Sequence, residues 1–378
     1  MAFDALWYVK RLHRQIFVIV FMYYFSQENI LHTMKLFSFH KTGSKLSYSG
    51  GKTDILKFVL SLFIVAIHFA EISVLSPVLR CAVPLFFMLS SFFFFKKYDS
   101  VISVEEKNSL LLNYIKRNLT LYLFWFIVLL PYTIILRGWF DNALIPDLLK
   151  ICRSFIFSST FPASWYIMAS IIGTSFIALA DRTFSRRIIF VIALLAYVFC
   201  CISSNYGNII SSSDKWGSLY LDYTNIFTSP YNSFPVSLLW IYIGRYLSKN
   251  DETKLSTSFL WLLMFVSLTL LYVEYFYIQK HAFSSADDCY FFLVPLCIVI
   301  MLLFGKVRYI PANPFLRKTS TIVFCSHIAL GSIVIFTSKL LGIEMGGYLF
   351  LIIAAGSVIL SWVILRLDTQ IKILRYAY

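Results

Sequence analysis

What most constrains this chain is that ten apolar segments divide it, at residues 56–75, 79–95, 118–136, 164–180, 188–203, 233–248, 257–279, 289–304, 320–340 and 346–366. A hydrocarbon core about 30 Å thick takes roughly 20 helical residues to cross, and inside it every backbone N–H and C=O has to be satisfied within the chain. The pattern therefore predicts an all-α polytopic membrane protein with about ten transmembrane helices. Composition agrees, with 59% hydrophobic and only 14% charged residues, well below the quarter that is usual in soluble proteins.

The net charge of +14 invites a nucleic-acid reading, but in a membrane protein an excess of Lys and Arg marks the cytoplasmic loops. With both termini cytoplasmic, alternating loops place 26 of the 33 Lys and Arg inside and 7 outside. The charge is thus accounted for by topology, the lipid bilayer is the expected partner, and no nucleic acid is expected. Residues 1–53 read as a cytoplasmic or interfacial N-terminal extension. Its apolar run Ile16–Phe25 is too short to cross, and Ser26-Gln-Glu-Asn lacks a signal-peptidase pattern; Met34 is an alternative start. Residues 54–370 read as one membrane domain without internal repeats. The longest outer connections, 137–163 and 204–232, are either a lid or substrate-facing surface or plain solvated loops. Seven cysteines show neither CxxC nor metal-ligand spacing, so they read as small apolar residues, with no metal and no permanently bound cofactor expected.

The first segment carries the most informative polar residues: Lys57, Ser61, His68 and Glu71. In a helix, the eleven steps from Lys57 to His68 turn about 1,100° and climb about 16 Å, so all four share one stripe. Ionisable groups at such depth turn toward a protein interior or a wet cavity, and by default they are functional. Of six histidines, only His68 and His327 fall within predicted spans. Both are expected in the inner or middle part of the membrane, where they can meet. Imidazole can deprotonate a hydroxyl near neutral pH or carry an acyl group itself; the alternative is a histidine that merely bridges helices. Glu71 either orients His68 or pairs with Arg80 in the headgroup layer. Lys116 and Arg117 either clamp phosphates or simply mark a cytoplasmic helix end. Trp165 is an interface anchor or a stacking surface for a sugar ring. Glu274 is read as interfacial. No P-loop, dinucleotide-binding glycine pattern, GxSxG elbow or zinc motif is present.

Several of these segments, in order, resemble the acyltransferase-3 family of multi-span bacterial membrane O-acyltransferases. Lys57 to His68 keeps the register of R-x-x-A-x-x-x-V-x-x-x-H, with lysine in place of arginine. Arg80, Val83-Pro84-Leu85-Phe86-Phe87 and Ser90 match R-x-x-V-P-L-F-F-x-x-S-G, with Ser91 for the glycine. Lys116, Arg117 and Leu121-Tyr122 match the R-R-x-x-R-L-Y entrance, Ser164-Trp165-Tyr166 the W-F/Y-L turn, and Ile322 to His327 the Y-L-x-H end. The resemblance implies a multi-pass protein of the bacterial inner membrane. It would transfer an acyl group, expected to be acetyl, from acetyl-CoA or another acyl-CoA to a hydroxyl of a polysaccharide or lipid-linked glycan. By that resemblance His68, with Glu71, is the catalytic candidate. Lys57, Lys116 and Arg117 become donor contacts, and Arg80, Trp165 and His327 acceptor contacts. A transporter of a glycan or small solute, its path lined by the same stripe, is the competing reading.

Overall fold

A computed structural model describes residues 44–48, 50–70, 73–139, 144–250 and 252–378; Glu71, the run Ile16–Phe25 and Met34 lie outside the described residues. In chain order the elements are β1 (Ser44–Lys45), α1 (Gly51–Phe69), α2 (Ser76–Leu79), α3 (Ala82–Asp99), α4 (Val104–Val128), α5 (Leu130–Arg137), α6 (Leu144–Phe157) and α7 (Trp165–Thr183). They continue as α8 (Arg186–Ser204), α9 (Gly207–Ser211), α10 (Asp214–Phe227), α11 (Phe234–Lys249), β2 (Glu252–Thr253), α12 (Thr257–Lys280), α13 (Leu293–Lys306), α14 (Pro314–Leu340) and α15 (Leu349–Leu367). Each apolar segment is helical. Among the described residues, five helical stretches are long and apolar enough to cross a membrane, or six if the bent pair α4–α5 counts as one, against the ten crossings expected. The strands form a single antiparallel pair.

The helices run alternately between an end rich in Lys and Arg, the basic end, and a far end. Four helices that start at the basic end carry their own polar N-caps. Ser103 accepts from Glu106 N–H, Ser185 from Ile188, Ser256 from Phe259 and Asn313 from Leu316. Such side chains satisfy amide groups that the first helical turn leaves without partners. At the same end Gly50, with φ 85°, lets Gly51 N–H reach the Ile310 carbonyl at 2.7 Å. Residues 44–48 and 50–53, which the sequence assigns to the extension, are tied into the bundle here, with Asp54 next to them. Tyr48 donates to the Met301 carbonyl (3.1 Å), Lys52 to that of Val307 (2.6 Å), and Asp54 accepts from Asn313 N–H (2.8 Å).

α11 is the central helix, buried over most of its length and packed on α3, α7 and α8. Its approach to α3 depends on Gly244, where a Cβ would collide with Ser91 Oγ and the Met88 carbonyl. Small residues at such crossings let backbones close in where apolar burial supplies little drive. Outward, α12 presents Leu262, Phe265, Val273 and Phe276, and α15 presents Leu351, Ile359 and Trp362, all exposed, as lipid-facing surfaces are. The two long outer connections are not plain loops, and residues of both line a cavity. They contain α6 and α10, joined by Arg153 donating to the Asn225 carbonyl (2.6 Å), Thr228 to that of Phe157 (2.9 Å), and the Phe157–Phe227 ring pair.

At the basic end Arg245, 6% exposed, forms a fork with Asp99 of α3 and bonds Asp181 of α7 through Nη2 at 2.6 Å, while its guanidinium lies 4.7 Å from the Phe95 ring centre. Removing one partner of a buried ion pair strands the other charge and costs several kcal/mol. Arg245→Ala is expected to destabilise the bundle by about 3 kcal/mol, the low end of that range, because Asp99 keeps 33% of its side-chain surface accessible. Arg245→Lys should recover only part, since an ammonium lacks the fork. Unfolding of purified protein in detergent measures both.

Candidate active site

α1 builds the centre of the site. Ser61 is fully buried and satisfies its hydroxyl on the Phe58 carbonyl at 2.7 Å, leaving Lys57 and His68 as the stripe's free polar groups among the described residues. They open into different cavities. His68 faces one of about 530 Å³ near the far end, and Lys57 one of about 550 Å³ near the basic end. The two share no lining residue. His68 sits in the last turn of α1, closer to the far end than the middle depth expected, because the helix starts at Gly51, five residues before the apolar run.

The histidine cavity is walled by His68, Arg80, Val83 and Pro84, by Trp165 and Trp240, and by Asp288, Arg137, Ser159, Tyr231 and Asn232. Arg80 and Asp288 form an ion pair across it, each side chain 22% exposed, and Arg80 Nε has no hydrogen-bond partner. The surrounding protein pushes the Asp288 carboxyl above the usual carboxylate range, and the Arg80 guanidinium opposes that shift. The segment that follows Asp288 is fixed by Glu274, which is buried, at 5% exposure. Its carboxylate accepts from Phe291 N–H (2.9 Å) and Phe292 N–H (3.0 Å), capping from a neighbouring helix the start of α13, which has no cap of its own. Trp165 is reached through a tight turn in which Ala163 takes a left-handed φ of 67° and Ser159 Oγ accepts from Trp165 N–H (3.2 Å).

The structure brings His68 and His327 together, with ring centres 5.4 Å apart. His327 is fully buried and lines neither cavity. Its Nδ1 lies 2.9 Å from the Phe324 carbonyl and 3.1 Å from that of Val323. A carbonyl only accepts, so Nδ1 carries the proton and Nε2 is left as an acceptor, here without a partner. His327 therefore stands behind His68, where it can influence that ring without touching a ligand.

The basic cavity gathers Lys57, Lys97, Arg117 and Arg317 around Asp54, Ser90, Asn113 and Tyr114. Lys57 and Arg117 are thus brought together. Lys116, the neighbouring position, is exposed and lines neither cavity, because adjacent helical residues point about 100° apart. An aromatic wall packs beside the histidine cavity, which its Phe324 lines. Tyr166 stands 4.5 Å from Phe87, 6.1 Å from Phe86 and 5.2 Å from Phe324, measured between ring centres. The sequence reading missed Arg137 and Asp288, and treated Lys97 and Arg317 as topological charges only. For Arg137 the one available signal was Pro131, six residues before it.

Among the described residues no cluster of His, Cys, Asp or Glu could hold a metal, and all seven cysteines are free, six of them buried. Fold and cavities together define a helical membrane protein with a polar interior reached from two ends. The acyltransferase-3 model, an acyltransferase domain, matches residues 52–366, and the chain belongs to that family. It is also similar to two curated proteins of Enterococcus faecalis, each named amino-acid racemase. One is 28% identical over 362 residues, covering 86% of this chain and 46% of the relative; the other is 23% identical over 343 residues, covering 85% and 46%. The chain thus spans about half the length of these relatives. No solved structure matches it significantly.

Glu274→Gln keeps the shape of the cap but turns an amide donor against one of the two N–H groups. Losing one hydrogen bond to a charged group costs about 1.5–3 kcal/mol. The expected outcome is a lower unfolding temperature together with weaker ligand binding in the histidine cavity, since the cap fixes the segment that carries Asp288.

Proposed function

We propose that this chain is a membrane O-acyltransferase. It would cross the bilayer ten times with the basic end in the cytoplasm, and move an acyl group, in the first instance acetyl, from acyl-CoA to a hydroxyl of a glycan or lipid-linked glycan. The observation that carries this reading is the stacking of the two cavities on one helix. Four cations surround the lower one, and His68 opens into the upper one about 16 Å further along α1.

Donor phosphates fit the lower cavity, where guanidinium and ammonium groups supply charge-assisted hydrogen bonds. The acyl-bearing end of the donor then has to extend along the Lys57–His68 stripe, past the aromatic wall, to reach His68. There the imidazole accepts the acceptor's hydroxyl proton as the hydroxyl oxygen attacks the thioester carbonyl, and it returns that proton to the departing thiolate. His327, holding its proton on Nδ1, keeps an acceptor nitrogen behind His68 and can steady the imidazolium that forms. Arg80 and Trp165 face the acceptor, with the ring of Trp165 offered for stacking against a sugar. A bacterial inner membrane supplies both a cytoplasmic acyl-CoA pool and glycan acceptors, and this is where we place the protein.

The names of the curated relatives favour a second reading, in which the upper cavity serves an amino acid that is carried or presented rather than acylated. Acyl-CoA turnover separates the two, since a carrier leaves the thioester intact. His68→Ala is expected to lower acetyl transfer by about 10²–10⁴-fold while CoA binding persists. Unchanged acetylation in that variant would remove His68 from the mechanism. Lys57→Ala and Arg117→Ala should each raise the KM for acyl-CoA by about tenfold or more, the equivalent of one charge-assisted hydrogen bond. Lys57→Arg should restore or tighten donor binding, because the fork grips a phosphate at two points.

A further inference from the structure

Arg137 lines the histidine cavity, although a straight helix would carry it away. It stands nine residues past Val128, about 13 Å further on for an uninterrupted helix. Pro131 has no N–H to donate, so the ladder of α4 breaks, and the axis bends by 69° between α4 and α5. Gly138, with φ 57° and ψ 39°, then closes α5 in the left-handed conformation. The bend brings the last side chain of α5 over the cavity that holds His68.

Among the described residues, the charges lining that cavity do not balance. Arg80 is paired with Asp288. Arg137 donates from Nη2 to the Ser159 carbonyl at 3.2 Å, and among the described residues it has no carboxylate partner. A guanidinium carries five donors in a planar fork that matches a carboxylate or a phosphate at two points. One is in use, on a neutral acceptor that also fixes the direction of the group. The cavity therefore holds a positioned, open cation and shares it with the proposed base and with Trp165 and Trp240.

We infer that the acceptor carries an anionic group, a carboxylate or a phosphate, in addition to the hydroxyl that is acylated, and that Arg137 binds this group while the Arg80–Asp288 pair stays closed. The inference rests on reading the upper cavity as the acceptor site. It makes Arg137 a specificity residue that selects acidic over neutral sugars.

The test uses the full chain in phosphatidylcholine nanodiscs without donor, and measures calorimetrically the binding of glucose, glucuronate and glucose 6-phosphate. At least one anionic probe should bind about tenfold or more tighter than glucose, and the better of the two identifies the anion as carboxylate or phosphate. Arg137→Gln should abolish the preference, Arg137→Lys should keep part of it, and His68→Ala should retain it. If Arg137→Gln does not fold, the wild-type preference must still collapse as salt is raised. Equal binding of all three probes overturns the inference, as does a preference that survives Arg137→Gln or high salt. Loss of probe binding when phosphatidylglycerol is added to the nanodiscs also overturns it, by assigning Arg137 to a lipid headgroup. The outcome is separable from that of the transfer reaction. Anion binding without acyl-CoA turnover removes the acyltransferase reading and keeps the Arg137 site, whereas transfer to neutral and acidic acceptors alike removes this inference and keeps the enzyme.

Discussion

An ionisable or hydroxylic side chain surrounded by lipid has to find its partner inside the protein, and that requirement arranges this molecule. Lys57 and His68 lie on the inward stripe of α1, and Arg80 meets Asp288 across the bundle. The helical serines donate back to their own helices, Ser91 to the Phe87 carbonyl, Ser326 to that of Ile322 and Ser361 to that of Ser357. Glu274 follows the same rule, taking two amide protons that α13 cannot satisfy itself. With polar groups turned inward, the outer faces of α12 and α15 are left to leucine, phenylalanine and valine. The interior thereby acquires a polarity along its axis, cationic at one end and mixed at the other.

That polarity is set by neighbours in space more than by neighbours in sequence. Lys97, Arg117 and Arg317 come from three helices and converge with Lys57 only because α1, α3, α4 and α14 share one corner at the basic end. The Arg245 clamp lies on the opposite flank of α3, so the same helix borders a site that can receive anions and a site whose anions are already supplied by Asp99 and Asp181. One set of arginines is structural and the other is open to ligands, although composition alone makes them equivalent.

Much of this was legible in the sequence. The ten apolar segments gave the helices, and the spacing of Lys57 and His68 gave a shared stripe that the structure divides between two cavities. The ordered motifs pointed to the family that the chain belongs to. What was not legible depends on geometry that no local pattern carries. Pro131 announces a break but not its 69° angle or direction, so Arg137 read as an outer-loop charge. Asp288 sits in a polar connection whose path is fixed from α12 by Glu274, a contact across 17 and 18 residues. Lys116 and Arg117 are equal in sequence and differ only in which side of α4 meets the cavity. The start of α1 was not legible because its first polar residues, Lys52 and Asp54, are bonded to the 307–313 segment instead of marking a solvent end.

The aromatic wall of Phe86, Phe87, Tyr166 and Phe324 has a consequence for the membrane as a whole. Two wet cavities that met at mid-depth would make the protein a conductor, and every elementary charge crossing a potential of 100 mV dissipates about 2.3 kcal/mol. Phe86, Phe87 and Phe324 carry no hydrogen-bonding group and Tyr166 carries one hydroxyl, so a layer of such rings is a poor path for protons. Under the proposed function a substrate arm passes these same rings, and widening the layer with small side chains would be expected to raise proton leak.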